Sequence, residues 1–112
     1  MTNDQFATLL ESIQQQELSV RADGQAEYAR DDGNCFANFE RVAALQGKSV
    51  SREQVLMTYA LKHLDGIMAY LGGHRSQRED IRGRIKDLRM YLALLWGMIE
   101  ETDKKDLYGP EE

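Results

Sequence analysis

Apolar residues recur at alternating steps of four and three along the segment 76–102. This apolar seam consists of Ile81, Ile85, Leu88, Leu92, Leu95 and Ile99. The spacing keeps all six on one face of an α-helix, whereas a strand would divide them between two faces. Ser76 followed by Glu79 is a capping-box start, because each side chain can bind the other residue's backbone N–H. The segment therefore predicts a long C-terminal helix with one side committed to the core.

The two borders of the seam carry different side chains. One border holds Asp80, Arg84, Asp87 and Tyr91, and the other holds Arg75, Arg78, Arg82 and Arg89 and ends at Trp96. Charged rows of this kind are usually solvated faces, but guanidinium groups also bind phosphate, and an indole can stack on a base. Both interpretations of these borders stay open at the level of the sequence.

Shorter apolar patterns predict the helices that precede this one. A modest pattern at Phe6, Leu9, Leu10 and Ile13 predicts a short first helix capped by Asn3 or Asp4. Residues 19–33 are rich in charge, so we expect only a weak helical segment near residues 25–30, bounded by turns. A second clear helix carries Phe36, Phe39, Val42, Ala43 and Leu45 on one face and ends at Gly47.

The next helix has the widest apolar arc. Ser51 with Gln54 repeats the capping-box signature, and the pair Gly72-Gly73 marks the end of the helix. Its apolar residues are Val55, Leu56, Tyr59, Ala60, Leu64, Ile67, Met68 and Leu71. One neighbouring helix cannot cover such an arc. The sequence thus predicts an all-α, compact bundle of about four helices that self-associates. Residues 1–102 should form a single domain, and residues 103–112 a frayed or disordered tail.

Composition narrows the choice of partner. The chain has 112 residues and a net charge of −5, which argues against binding of duplex nucleic acid. Cys35 is the single cysteine, and the N-terminus has no signal-peptide pattern, so we expect a cytoplasmic protein. No apolar run approaches the roughly 20 residues that a membrane-spanning helix needs. A soluble protein without a membrane partner is therefore expected.

Four short motifs resemble a known family. Tyr28, the pair Asn38-Phe39, Lys62 and the pair Asp87 and Tyr91 occur in this order on successive predicted helices. The segment 25–102 resembles small phage-associated helical proteins related to MazG-type nucleotide pyrophosphohydrolases and to nucleotide-modification-associated domains. The resemblance implies a nucleotide or phosphorylated small molecule as ligand and the cytoplasm of a phage-infected host as location.

One departure from the family pattern bears on catalysis. The family has two acids four residues apart before the tyrosine, but the first of these positions is Gly83 here. A Mg²⁺ site needs several converging carboxylates, which Glu40, Asp80 and Asp87 would have to supply. No cofactor is assured, and Mg²⁺ is expected only if the protein hydrolyses nucleotides. The equally open alternative is that Asp80, Arg84 and Asp87 form a solvated intrahelical charge ladder.

The leading hypothesis is binding or sequestration of a nucleotide-derived phosphate ligand without efficient hydrolysis. The candidate ligand-binding residues are Tyr28, Asn38, Lys62, Arg82, Arg89, Tyr91 and Trp96. A Mg²⁺-dependent nucleoside triphosphate pyrophosphohydrolase is the second hypothesis, and a helical adaptor or inhibitor of a host protein is the third. A homodimer or higher homo-oligomer is expected in each case.

Overall fold

The structure of the protein, a computed structural model, describes residues 1–28, 33–47, 49–75 and 80–107, without the side chains of residues 20–28 and 104–107. The described residues form four α-helices and no strand: α1 (Asn3–Tyr28), α2 (Ala37–Leu45), α3 (Arg52–Leu71) and α4 (Ile81–Leu107). The predicted all-α class with a long C-terminal helix is confirmed. The chain divides into two compact units, Met1–Asn38 and Phe39–Glu112, so the single domain over residues 1–102 stays a prediction.

The first helix is much longer than the sequence predicts. α1 runs for 26 residues through the polar and charged stretch in which turns were expected. The capping residue is Thr2, not Asn3 or Asp4. Its hydroxyl accepts from the Gln5 N–H at 3.1 Å, and the Gln5 side chain accepts from the Thr2 N–H at 2.8 Å. Apolar periodicity underestimated this helix because good helix formers can extend it without an apolar face.

The signals around α2 and α3 are confirmed. Gly47, which follows α2, has the positive φ of 89° expected of a helix-ending glycine. Ser51 and Gln54 form the complete capping box at the start of α3. Beyond α3, the N–H groups of Gly72, Gly73 and His74 donate to carbonyls of the last turn of the helix. These hydrogen bonds complete the C-terminal end of α3.

In the described part of the chain, α4 begins at Ile81 and ends at Leu107. The predicted capping box of Ser76 and Glu79 lies outside the described residues. In the described part, Asp80 stands at the helix start, where its carboxylate accepts from the Arg82 N–H at 2.8 Å. The helix continues to Leu107, five residues beyond the predicted boundary at Thr102.

α3 and α4 pack against each other as an antiparallel hairpin. Tyr59 contacts Tyr91, His63 contacts Asp87, and the Arg84 side chain passes over Gly66. The residues of α4 that face α3 therefore belong to the polar border of the seam. Met98, seven residues after Tyr91 on the same row, is fully buried. The prediction that the apolar seam is the face of α4 directed at the core is thus wrong. A second apolar row, Tyr91, Leu94 and Met98, lies on the side that packs against α3.

The two sides of this hairpin differ. On the covered side, α2 packs through Phe39 against Tyr59 and Tyr91, and Val55 is buried. The other side is here called the open face. On each helix, its residues lie about 100° around the helix axis from the residues that contact the partner helix. The open face carries Leu61, Leu64, Met68, Leu71, Ile85, Leu92, Trp96 and Ile99, each between 40% and 69% exposed. Half of the predicted apolar seam is therefore on the surface.

Candidate functional site

An aromatic cluster joins α2, α3 and α4. The Phe39 ring meets the rings of Tyr59 and Tyr91 edge to face, with centroids 6.1 and 6.2 Å apart. Tyr59 and Tyr91 stack with an interplanar angle of 17°, and the His63 ring lies 5.6 Å from Tyr91. Edge-to-face and offset-stacked rings each add to the energy of burial. The predicted ligand residue Tyr91 is thus first a structural residue of the hairpin.

His63 is the polar member of this cluster. Its side chain is only 15% exposed, and Nε2 lies 3.8 Å from Oδ2 of Asp87. Nδ1 is buried and has no hydrogen-bond partner among the described residues. An unpaired buried nitrogen is costly. The ring packs against Tyr91 and lies beside the Asp87 carboxylate. Reasoning from the sequence did not identify Asp87 as the neighbour of His63.

A cleft of about 390 Å³ opens between α2 and the first turns of α3. Its lining combines three valines with four uncharged polar side chains and one tyrosine: Val42, Gln46, Ser49, Val50, Gln54, Val55, Thr58 and Tyr59. The volume falls within the usual range of about 300–1,000 Å³ for small-molecule sites, and the mixed lining is typical of them. Since Tyr59 also stacks on Tyr91, one wall of the cleft is the back of the aromatic cluster.

Lys62 lies at the edge of this region. It follows Thr58 by four residues, so the two side chains are neighbours on one row of α3. Lys62 is exposed, and a lysine beside a polar cleft can bring its ammonium group to a phosphate. Among the predicted ligand residues, Lys62 lies one helical turn after the cleft residue Thr58, and Tyr91 stacks on the cleft residue Tyr59.

The other predicted ligand residues are elsewhere. Arg82 is exposed and contacts Asp80 at 3.3 Å, while Trp96 is exposed and donates to Glu100 at 3.2 Å. Arg89 is half-buried on the same row of α4 as these two residues. Asn38 is half-buried and belongs to the first unit, and the Tyr28 side chain lies outside the described residues. The arginine row and Lys62 therefore lie on different surfaces of the hairpin.

Arg52 connects three elements through carboxylates. Its guanidinium, only 18% exposed, donates to Glu40 on α2 at 2.8 Å, to Glu53 at 3.1 Å and to Glu101 on α4 at 3.2 Å. Burial lowers the pKa of Arg52, but hydrogen bonds to the three glutamates outweigh it and raise that pKa above its ordinary value. Burial raises the pKa of Glu53, but hydrogen bonds from its own backbone N–H and from Arg52 outweigh burial and lower that pKa overall. The sequence did not reveal this cluster, because its members lie far apart along the chain.

The three predicted metal ligands do not converge. Glu40 contacts Arg52, Asp80 accepts from Arg82 at the start of α4, and Asp87 lies beside His63. Hydrogen bonding from the Arg82 backbone lowers the pKa of Asp80, as expected for a capping carboxylate. Among the described residues, no group of three or more His, Cys, Asp and Glu side chains is arranged to hold a metal ion. Each of the three carboxylates thus contacts a different neighbour.

Comparisons with known proteins add no relative. No family model, no curated protein and no solved structure matches this chain. The resemblance to nucleotide pyrophosphohydrolases stays a hypothesis. In the described parts of the chain, none of the helices combines the length and apolar character required to cross a bilayer.

Four cleft residues were missed by reasoning from the sequence. Gln46, Ser49 and Thr58 are ordinary polar residues that no motif marks, and Gln54 was predicted only as a member of the capping box. One signal was available: Thr58 and Lys62 form a narrow polar stripe on an otherwise apolar helix. A polar stripe that persists on a central helix indicates a surface that is kept accessible.

Proposed function

We propose that the protein binds a nucleotide or a related phosphorylated small molecule in the cleft between α2 and α3. The single observation that carries this proposal is the cleft itself, with four uncharged polar side chains and Lys62 one turn beyond Thr58. The Gln54 amide oxygen caps α3 and the Thr58 hydroxyl donates to the Gln54 carbonyl, so these two offer a ligand the Gln54 amide N–H groups and the Thr58 oxygen as acceptor. Amides and hydroxyls can pair with the edge of a base or with ribose, and the lysine can meet phosphate. The valines supply apolar contact area.

The proposed activity is binding and does not include hydrolysis. Phosphate-ester hydrolysis with Mg²⁺ requires carboxylates that converge on the ion. Glu40, Asp80 and Asp87 each have a different neighbour, and Glu40 would have to leave Arg52 to bind a metal. Sequestration of the ligand therefore fits the side-chain arrangement better than turnover.

The test begins with a thermal-shift screen of nucleoside mono-, di- and triphosphates and cyclic dinucleotides, with and without Mg²⁺. Binding to folded protein raises the melting temperature by mass action, so a hit is expected in the absence of Mg²⁺. Pyrophosphate release in the same samples reports hydrolysis. If the increase in melting temperature requires Mg²⁺ and pyrophosphate is released, the binding proposal is wrong and the pyrophosphohydrolase hypothesis takes its place.

Variants then locate the site by calorimetric titration of the hit. Lys62→Gln should weaken binding about ten- to a hundredfold, since a charge-assisted phosphate contact contributes roughly 1.5–3 kcal/mol. Thr58→Val keeps the side-chain shape and should weaken binding about five- to tenfold by removing one hydrogen bond. Arg82→Gln is the matched control, because it removes a positive charge on α4 outside the cleft. Unchanged affinity in Lys62→Gln and Thr58→Val would exclude the cleft.

A further inference from the structure

The open face of the hairpin is a second surface with a chemical pattern of its own. Its large apolar side chains come from both helices and are between 40% and 69% exposed. Isolated exposed apolar residues are normal, but a contiguous set along two helices marks an interaction surface. This surface lies on the side of the hairpin away from the cleft, so its role is independent of the proposed ligand site.

A row of residues beside the seam indicates what covers this face. Arg82, Arg89, Trp96 and Asp103 follow one another at intervals of seven, so they form a single row along α4. The row begins with two positive charges, passes an indole that is 69% exposed, and ends with a negative charge. Its two ends are thus complementary to each other.

We infer that the open face binds a second copy of this chain, with the two α4 helices antiparallel about a two-fold axis near Leu92. In this register Arg82 faces Asp103 of the second copy, and Arg89 faces Trp96 of the second copy. Each contact occurs twice, as a two-fold interface requires. Ile85 and Ile99 meet across the same axis, and Leu92 lies near Leu92 of the other chain.

The charges distinguish this arrangement from a parallel one. A parallel pair would set Arg82 against Arg82 and Asp103 against Asp103, which are repulsive contacts. In the antiparallel arrangement each of these like-charge contacts is replaced by a pair of opposite charges, Arg82 and Asp103.

Charge reversal tests the register. Size exclusion with light scattering should find a dimer for the wild type, and Arg82→Asp or Asp103→Arg alone should weaken dimerisation by roughly tenfold or more. An equimolar mixture of these two variants should restore the dimer, since the aspartate introduced in one chain then faces the arginine introduced in the other. Lys86→Glu is the control, because it lies about 120° around the helix axis from Leu92. It should leave the dimer unchanged.

Cross-linking gives a positive result that does not depend on weakening the protein. In a Cys35→Ser background, Ile85→Cys mixed with Ile99→Cys should form an intermolecular disulfide under mild oxidation, while Lys86→Cys mixed with Ile99→Cys should not. Circular dichroism verifies that every variant keeps its helix content.

Three outcomes would overturn the inference. A wild type that is monomeric at all accessible concentrations would mean that the open face is covered within one chain or by another protein. A dimer whose mixed charge variants fail to recover would exclude the antiparallel register. A dimer that forms without the 85–99 cross-link would place the interface elsewhere.

Discussion

The two sides of the α3–α4 hairpin show how one pair of helices can carry both a core and an interaction surface. On the covered side, Phe39 and Val55 are buried and α2 closes over the aromatic cluster. On the open face, leucine, isoleucine and methionine at similar helical spacing remain in solvent. Residue type does not distinguish the two sides. The difference lies in which side a neighbouring helix covers.

The largest expected effect comes from making a cavity in the buried core of the hairpin. Leu56 is 0% exposed, and Leu56→Ala should lower the free energy of unfolding by about 2–5 kcal/mol, because it leaves a cavity as well as losing burial energy. Leu64→Ala, the same change on the open face, should cost less than about 1.5 kcal/mol at low protein concentration. Urea denaturation of both variants measures the contrast. Equal losses would show that the open face is packed as tightly as the core.

The charge cluster at Arg52 should come next. Arg52→Ala leaves three carboxylates near one another without their cation, and we expect a loss of about 1–3 kcal/mol. Arg82→Ala removes an arginine on the outside of α4, and at low protein concentration, where the proposed dimer is dissociated, its free energy of unfolding should stay that of the wild type within error. The same denaturation experiment compares them. If Arg52→Ala is as stable as the wild type, the cluster does not hold α2, α3 and α4 together.

Two helical glycines, Gly66 and Gly83, can be used to compare a packed position of the hairpin with an open one. A Cβ at Gly83 meets nothing within 4 Å, so Gly83→Ala should stabilise the protein by about 0.5–1 kcal/mol through helix propensity. A Cβ at Gly66 would lie 2.5–2.8 Å from atoms of the Arg84 side chain, which must then move. Gly66→Ala should therefore gain less or lose stability. Adding Arg84→Ala to Gly66→Ala should recover the difference, and no recovery would contradict the close contact.

The smallest expected effect is the decrease in the free energy of unfolding at acidic pH that is due to Glu53. The pKa of Glu53 is lowered in the folded protein from its ordinary value of 4.5. Its ionised form thus stabilises the fold fully above the unfolded-state pKa, and the contribution is lost as the pH falls below about 4.5 through the lowered folded value. Glu53 is partly exposed, so we expect less than about 1 kcal/mol. Glu53→Gln should flatten the stability profile below pH 5, and an unchanged slope would contradict this assignment.

Much of the local structure follows from the sequence. The capping box of Ser51 and Gln54, the positive φ at Gly47 and the helix end at Gly72-Gly73 depend on residues that are close along the chain. Such signals fail only when another nearby residue competes. Thr2 capped α1 in place of Asn3 or Asp4, and α1 continued through a polar stretch that carries no periodicity.

Which helix face meets which neighbour was decided by tertiary structure. Ile85, Leu88 and Leu92 share a face by spacing alone, but α4 also has an apolar row at Tyr91, Leu94 and Met98, and periodicity cannot rank the two. In the folded protein the side of α4 that carries the second row packs against α3, where Tyr91 stacks on Tyr59 and the Arg84 side chain passes over Gly66. The Arg52 cluster and the cleft have the same origin, because they combine residues from elements that meet only after folding. Local spacing thus determined the helices, and long-range packing decided their contacts.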